Sequence, residues 1–146
     1  MIILSKFAET LYSLMREKNI NAPALGKILE TDRTNITRYL RAERLPLYHG
    51  FIALCEYFNV SADVLLGRVD YSNEELFQPI QPFSSTLRRI MKETGTSQYS
   101  IVKKLGVSGG TMYYWLSGKS LPTVENLDKL ADFMDVSIDY LLGRIA

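Results

Sequence analysis

The chain has one cysteine and one histidine in 146 residues. A lone Cys55 excludes a disulfide framework and any multi-cysteine metal site. A lone His49 removes histidine-rich metal sites and most Ser/His or Cys/His chemistry. Charge of one sign is not in excess either: the net charge is +1, so a nucleic-acid role has to rest on a local patch. The opening Met-Ile-Ile-Leu has no basic segment before it and is far too short for a signal peptide or a membrane span. The single cysteine and this opening give the expectation of a cytoplasmic protein. No phosphate-binding loop, catalytic triad or metal cluster is legible, so no enzyme, cofactor or metal is expected.

What the sequence does have is a repeat. The nonapeptide Val-Ser-Ala-Asp-Val-Leu-Leu-Gly-Arg at 60–68 returns as Val-Ser-Ile-Asp-Tyr-Leu-Leu-Gly-Arg at 136–144. Sliding the chain by 76 residues aligns 7–68 with 83–144 without a gap, and 18 of those 62 positions are identical. Most shared positions, such as Leu11/Leu87, Met15/Met91, Leu40/Leu116 and Leu54/Leu130, are apolar at helical spacing, so the repeat preserves a core. Each unit is about the smallest size that folds without staples.

Each unit reads as five helices. The first carries an apolar stripe, Phe-Leu-Leu/Ile-Met at i, i+4, i+7 and i+8. The fourth puts Phe51, Leu54, Cys55 and Phe58 on one face, matched by Leu127, Leu130, Ala131 and Met134. Cys55 stands where the other copy has Ala, which predicts a small buried side chain. His49, matched by Glu125, is expected on the surface. Between these helices lie two shorter ones, with Asn21 and Asp32 as N-caps in the first unit and Ser97 and Ser108 in the second. Pro46 and Pro122 are expected to stop the third helix. A fifth is capped by Ser61 or Ser137 and ends at Gly67 or Gly143. No alternating pattern is long enough for a strand. The expectation is an all-α chain of two tandem five-helix domains, 1–68 and 83–146, joined by a linker at 69–82. Within the linker, Ser72 and Glu75 form the pattern of a capping box for a short helix. Fully extended, the 14 linker residues span at most roughly 46 Å.

Two short helices joined by a tight turn form a helix-turn-helix, whose second helix fits a B-DNA major groove. Both units resemble the Cro and lambda-repressor type of helix-turn-helix domain, also called the xenobiotic-response-element family. In the second unit the resemblance rests on Ser97-Gln98 opening helix two, Gly106-Val107-Ser108 in the turn, Gly118-Lys119 with Pro122 after helix three, and the Leu-Leu-Gly close. In the first it rests on residues 21–46 and 54–67, the latter ending in Leu-Leu-Gly. The resemblance implies a lambda-repressor-like fold and a phosphate-contacting role for Gln98, which the first unit loses at Ala22. It also implies Ala or Gly where the two helices touch; Gly26 fits and the bulky Val102 implies a shifted crossing. It implies Gly in the turn; Gly106 fits, whereas Glu30 carries around 1 kcal/mol of strain if the geometry is kept.

The third helix of the first unit contains Arg33, Thr34, Asn35, Thr37, Arg38 and Arg41, with Ile36 and Tyr39 turned inward. Arg pairs bidentately with guanine, and a threonine methyl touches that of thymine. Arg41 and Arg44 are placed to meet phosphate. In the second unit Thr111, Tyr113, Tyr114 and Lys119, with the caps Ser97 and Ser108 and with Gln98, make the corresponding set. Its Gly109 and Gly110 weaken the helix and bring no side chain to a base. Tyr113 and Tyr114 suit either nucleic acid or a protein interface.

Two readings stay open. The first is a sequence-specific DNA-binding transcriptional regulator of bacterial or phage type, using one or both units on double-stranded DNA. The second is an interaction or dimerisation module, antitoxin-like or an adaptor, whose second unit is a degenerate DNA binder and carries a homodimer contact. Neither involves a membrane.

Overall fold

The computed structural model describes residues 2–72 and 76–146. Among the described residues are ten helices and no strand, the all-α outcome expected. The chain divides into two compact units, Met1–Glu75 and Leu76–Ala146. The first holds α1 (Ile2–Glu17), α2 (Ala22–Ile28), α3 (Arg33–Leu40), α4 (Tyr48–Phe58) and α5 (Ala62–Leu65). The second holds α6 (Phe83–Thr94), α7 (Gln98–Leu105), α8 (Gly109–Ser117), α9 (Val124–Met134) and α10 (Ile138–Leu142).

The stripes read from the sequence become two cores. In the first unit Phe7, Leu11, Leu25, Ile36, Phe51, Leu54 and Leu65 are buried, and Phe7 meets Tyr39 edge to face at 5.8 Å. In the second, Leu87, Ile90, Ile101, Met112, Leu130 and Leu141 are buried, and Phe83 meets Trp115 at 6.5 Å. Each fully buried side chain of this kind stabilises its unit by about 1.5–3 kcal/mol. Cys55 and Ala131, at matching positions, are both fully buried, and His49 is exposed.

The N-caps follow the expectation. Asn21, Asp32, Ser61, Ser97, Ser108 and Ser137 each accept a hydrogen bond from an amide in the first turn of their helix. The expected capping box at Ser72 and Glu75 lies partly outside the described residues. Pro46 and Pro122 do not stop the third helices. Those end earlier, at Leu40 and Ser117, through left-handed residues Ala42 (φ 57°) and Gly118 (φ 80°). Both prolines are buried one residue before the N-cap of the following helix, Leu47 or Thr123.

The expected linker 69–82 is also shorter. The amides of Gln78 and Gln81 donate to the carbonyls of Arg144 (2.8 Å) and Leu142 (3.1 Å), so its second half is built onto the second unit. The same sequence slots in the first unit are helical, since α1 starts at Ile2, five residues before Phe7, the counterpart of Phe83. The difference is chemical. Pro79 and Pro82 remove amide donors and push Gln78 and Gln81 to extended backbone, whereas residues 2–6 contain no proline.

Each unit closes with an ion pair from the repeated nonapeptide. Arg68 Nε lies 2.8 Å from Asp63 Oδ1, and Arg144 Nη1 lies 2.8 Å from Asp139 Oδ1. Arg144 is only 2% exposed, so its charge is held by that carboxylate.

Candidate nucleic-acid interface

The close approach of α2 to α3 has a specific cause. A Cβ on Gly26 would sit 2.9 Å from the Thr31 carbonyl oxygen and 3.2 Å from the Arg33 nitrogen. Only glycine fits against those backbone atoms. The second unit has Val102 at this position, half-buried. Glu30 keeps the left-handed turn at φ 56°, the strained geometry its position implied.

This turn presents α3. Arg33, Thr34, Arg38 and Arg41 are exposed, and Ile36 and Tyr39 anchor the opposite face. Residues 34, 38 and 41 share one face at i, i+4 and i+7, and Arg33 stands beside them in the first turn. Among the described residues no carboxylate lies within 4 Å of the Arg33, Arg38 or Arg41 guanidinium. Asp32 at the helix start is a counter-charge to Arg33 and Arg38. Its carboxyl is held below the ordinary range chiefly by the Thr34 amide at 2.9 Å, then by the Thr34 hydroxyl, with Arg33 and Arg38 adding to the effect.

Two residues of the expected set serve the fold. Asn35 is half-buried and donates from Nδ2 to the Thr31 hydroxyl at 3.0 Å, bracing the turn. Thr37 is half-buried and donates its hydroxyl to the Arg33 carbonyl at 3.1 Å. Arg44 is half-buried beside Tyr39, whose phenol is pushed up by burial and pulled down by that guanidinium.

In the second unit Ser97 and Ser108 act as caps, accepting from the amides of Ser100 (3.1 Å) and Thr111 (3.0 Å). The Thr111 hydroxyl is bonded to Ser108 at 3.0 Å. Gln98 is exposed at the first position of α7. Tyr113 and Tyr114 are 65% and 41% exposed, which makes them an uncovered aromatic pair rather than core. The Lys119 ammonium lies 4.9 Å from the Tyr114 ring centroid. Tyr99, at 73% exposed, extends the aromatic character to α7 and was not anticipated from the sequence.

Arg88 was missed as well. Its Nε and Nη2 donate to the Leu116 carbonyl at 3.0 and 2.6 Å, satisfying a carbonyl in the last turn of α8. Tyr12 stands at its place in the first unit, so the repeat carried no signal for it.

Two short capped helices, a left-handed turn residue between them, and a second helix with its inner face locked into a five-helix core define a helix-turn-helix domain. Residues 87–141 match the helix-turn-helix family model, which places the match wholly within the second unit. The Cryptic phage CTXphi transcriptional repressor RstR of Vibrio cholerae serotype O1 is 40% identical to this chain over 55 residues, 38% of this chain and 49% of that protein. The chain therefore covers about half the length of this curated relative. No solved structure matches. Among the described residues, no helix is long and apolar enough to cross a membrane.

Proposed function

We propose that the protein is a sequence-specific DNA-binding transcriptional regulator, with both units acting as helix-turn-helix domains on double-stranded DNA. The observation that carries this reading is the face of α3. Three arginines stand exposed there without a carboxylate within 4 Å among the described residues, on a helix anchored from behind by Ile36 and Tyr39. A guanidinium held this way is free to take a guanine edge or a phosphate. The family match at 87–141, in the second unit, and the phage repressor relative support the same class of function. There, Gln98 and Lys119 are the phosphate contacts and Tyr113 and Tyr114 the groove contacts.

The test is binding to duplex DNA as a function of salt. Several phosphate contacts make affinity fall steeply as salt rises. Arg38→Ala is expected to weaken the selected site by about 1–3 kcal/mol and random DNA far less. Selected-site affinity equal to that of the unmodified chain would remove Arg38 from the reading face.

A second reading is favoured by one observation, the exposure of Tyr99, Tyr113 and Tyr114 in the second unit. Exposed tyrosines are enriched at protein interfaces. On this reading the second unit pairs two copies of the chain and the first unit alone reads DNA.

A further inference from the structure

Along its whole length α8 carries no charged residue and no side-chain amide. At the repeat offset of 76, the slots of Arg33, Arg38 and Arg41 hold Gly109, Tyr114 and Ser117. The serine hydroxyls at either end of the helix bond within the protein. Ser108 donates to the Thr111 hydroxyl at 3.0 Å, and Ser117 donates to the Tyr114 carbonyl at 3.3 Å. What α8 shows outward is the pair of rings of Tyr113 and Tyr114, 6.1 Å apart and tilted by 57°. A phenol has one hydroxyl, at the tip of its ring, so it cannot make the two parallel bonds that single out a guanine or an adenine edge. Its ring can make apolar contact, and the group in the major groove that answers to apolar contact is the C5 methyl of thymine.

The surroundings of these rings favour duplex DNA over a second copy of the same face. Residues 95–124 contain Lys103, Lys104 and Lys119 and no aspartate or glutamate. All three lysines are exposed, and among the described residues no carboxylate lies within 4 Å of their ammonium groups. The Lys119 ammonium stands 4.9 Å from the Tyr114 ring centroid, and that of Lys103 stands 6.0 Å from the Tyr99 centroid. Positive charge without an acid beside it suits phosphate. Two such faces brought together would set like charge against like.

We propose that the second unit recognises the C5 methyl of pyrimidines through Tyr113 and Tyr114, whichever base pair carries it. This rests on the DNA-binding reading above and names what that face reads. Thymine paired with adenine and 5-methylcytosine paired with guanine present different hydrogen-bonding groups but the same methyl at the same ring position. A face with no bidentate side chain takes the two alike and disfavours uracil and unmethylated cytosine alike. Methylation of a cytosine at C5 therefore creates a contact for α8, which makes the second unit sensitive to that modification of DNA.

The test measures the full chain on its selected duplex, with each thymine replaced in turn by deoxyuridine, which removes only the methyl. Binding is expected to weaken about fourfold for each methyl that meets α8. The same duplexes are measured with Tyr113→Ala, Tyr114→Ala and with Tyr113→Phe, Tyr114→Phe. The alanine variant is expected to lose the uracil effect at those positions, and the phenylalanine variant, which keeps the rings, to retain it. A 5-methylcytosine·guanine pair there is expected to bind within about twofold of thymine·adenine, and unmethylated cytosine to bind as uracil does. Absence of any uracil effect, or one that the alanine variant retains, overturns the assignment to the tyrosines. A phenylalanine variant that loses the effect, or 5-methylcytosine that binds like cytosine, overturns methyl recognition in favour of hydrogen bonding. Each of these results leaves the DNA-binding reading standing, whereas a chain that selects no duplex sinks that reading and this proposal together.

Discussion

At the scale of single residues, Asp32 joins the fold to the face it introduces. Its carboxylate accepts from the Thr34 amide, and the charges of Arg33 and Arg38 act on it without an ion pair. These contacts favour the charged form, so the carboxyl titrates below its ordinary value. A depressed folded value means stability that is present above the unfolded value and lost as pH falls through the folded one. Acid should therefore begin to loosen the start of α3 as pH falls through the ordinary aspartate value, with the loss complete only below the lowered folded one. An NMR titration of the Asp32 side chain is expected to give a midpoint below that of free aspartate. Because the Thr34 amide is the leading cause, Arg33→Ala with Arg38→Ala should raise the midpoint only part of the way back. A midpoint that returns fully would make the arginines the dominant partners and α3 a more self-contained ion cluster than a DNA reader can be.

At the scale of elements, what was legible is what is local. An N-cap needs only a short polar side chain and an amide two or three residues on, and Asn21, Asp32, Ser97 and Ser108 were all readable for that reason. So was the inner face of α3, where Ile36 and Tyr39 follow helical spacing. The local bonding of the candidate residues was only partly legible. Asn35 and Thr37 look like reading residues, but their hydrogen bonds to Thr31 and Arg33 are set by the turn, not by periodicity. Arg88 and the strap of Gln78 and Gln81 were illegible, since their partners lie 28 to 66 residues away. The prolines that shape the strap were visible, but not what it would bind. Gly26 shows how one position governs a whole pair of elements. Gly26→Ala would push against the Thr31 carbonyl and the Arg33 nitrogen, backbone atoms that no rotamer change can move aside. A loss of about 1–3 kcal/mol is expected in denaturant melts of the full chain, as for overpacking elsewhere. Val102→Ala, at the roomier counterpart, is expected to cost less than about 1 kcal/mol.

At the scale of the molecule, the two units repeat one core pattern and differ in what they expose. The first shows arginines on α3; the second shows tyrosines and Lys119 around α8. If both read DNA, the selected site should be asymmetric, since an arginine face favours guanine edges and a tyrosine face offers no bidentate pairing. If only the first reads DNA, the tyrosines instead serve a second copy of the chain. The double variant Tyr113→Ala, Tyr114→Ala separates these outcomes. Both rings are exposed, so the core anchored by Met112 and Trp115 is expected to melt as before. Under the leading reading, affinity for the selected duplex falls about tenfold or more, or ~1.4 kcal/mol, and sedimentation shows no change in self-association. Undiminished DNA affinity, together with a chain that no longer self-associates, would move α8 from the groove to a dimer contact. The paired half-sites would then be read by α3 from two chains, and the selected sequence would become a palindrome, because a two-fold dimer presents the same helix to each half.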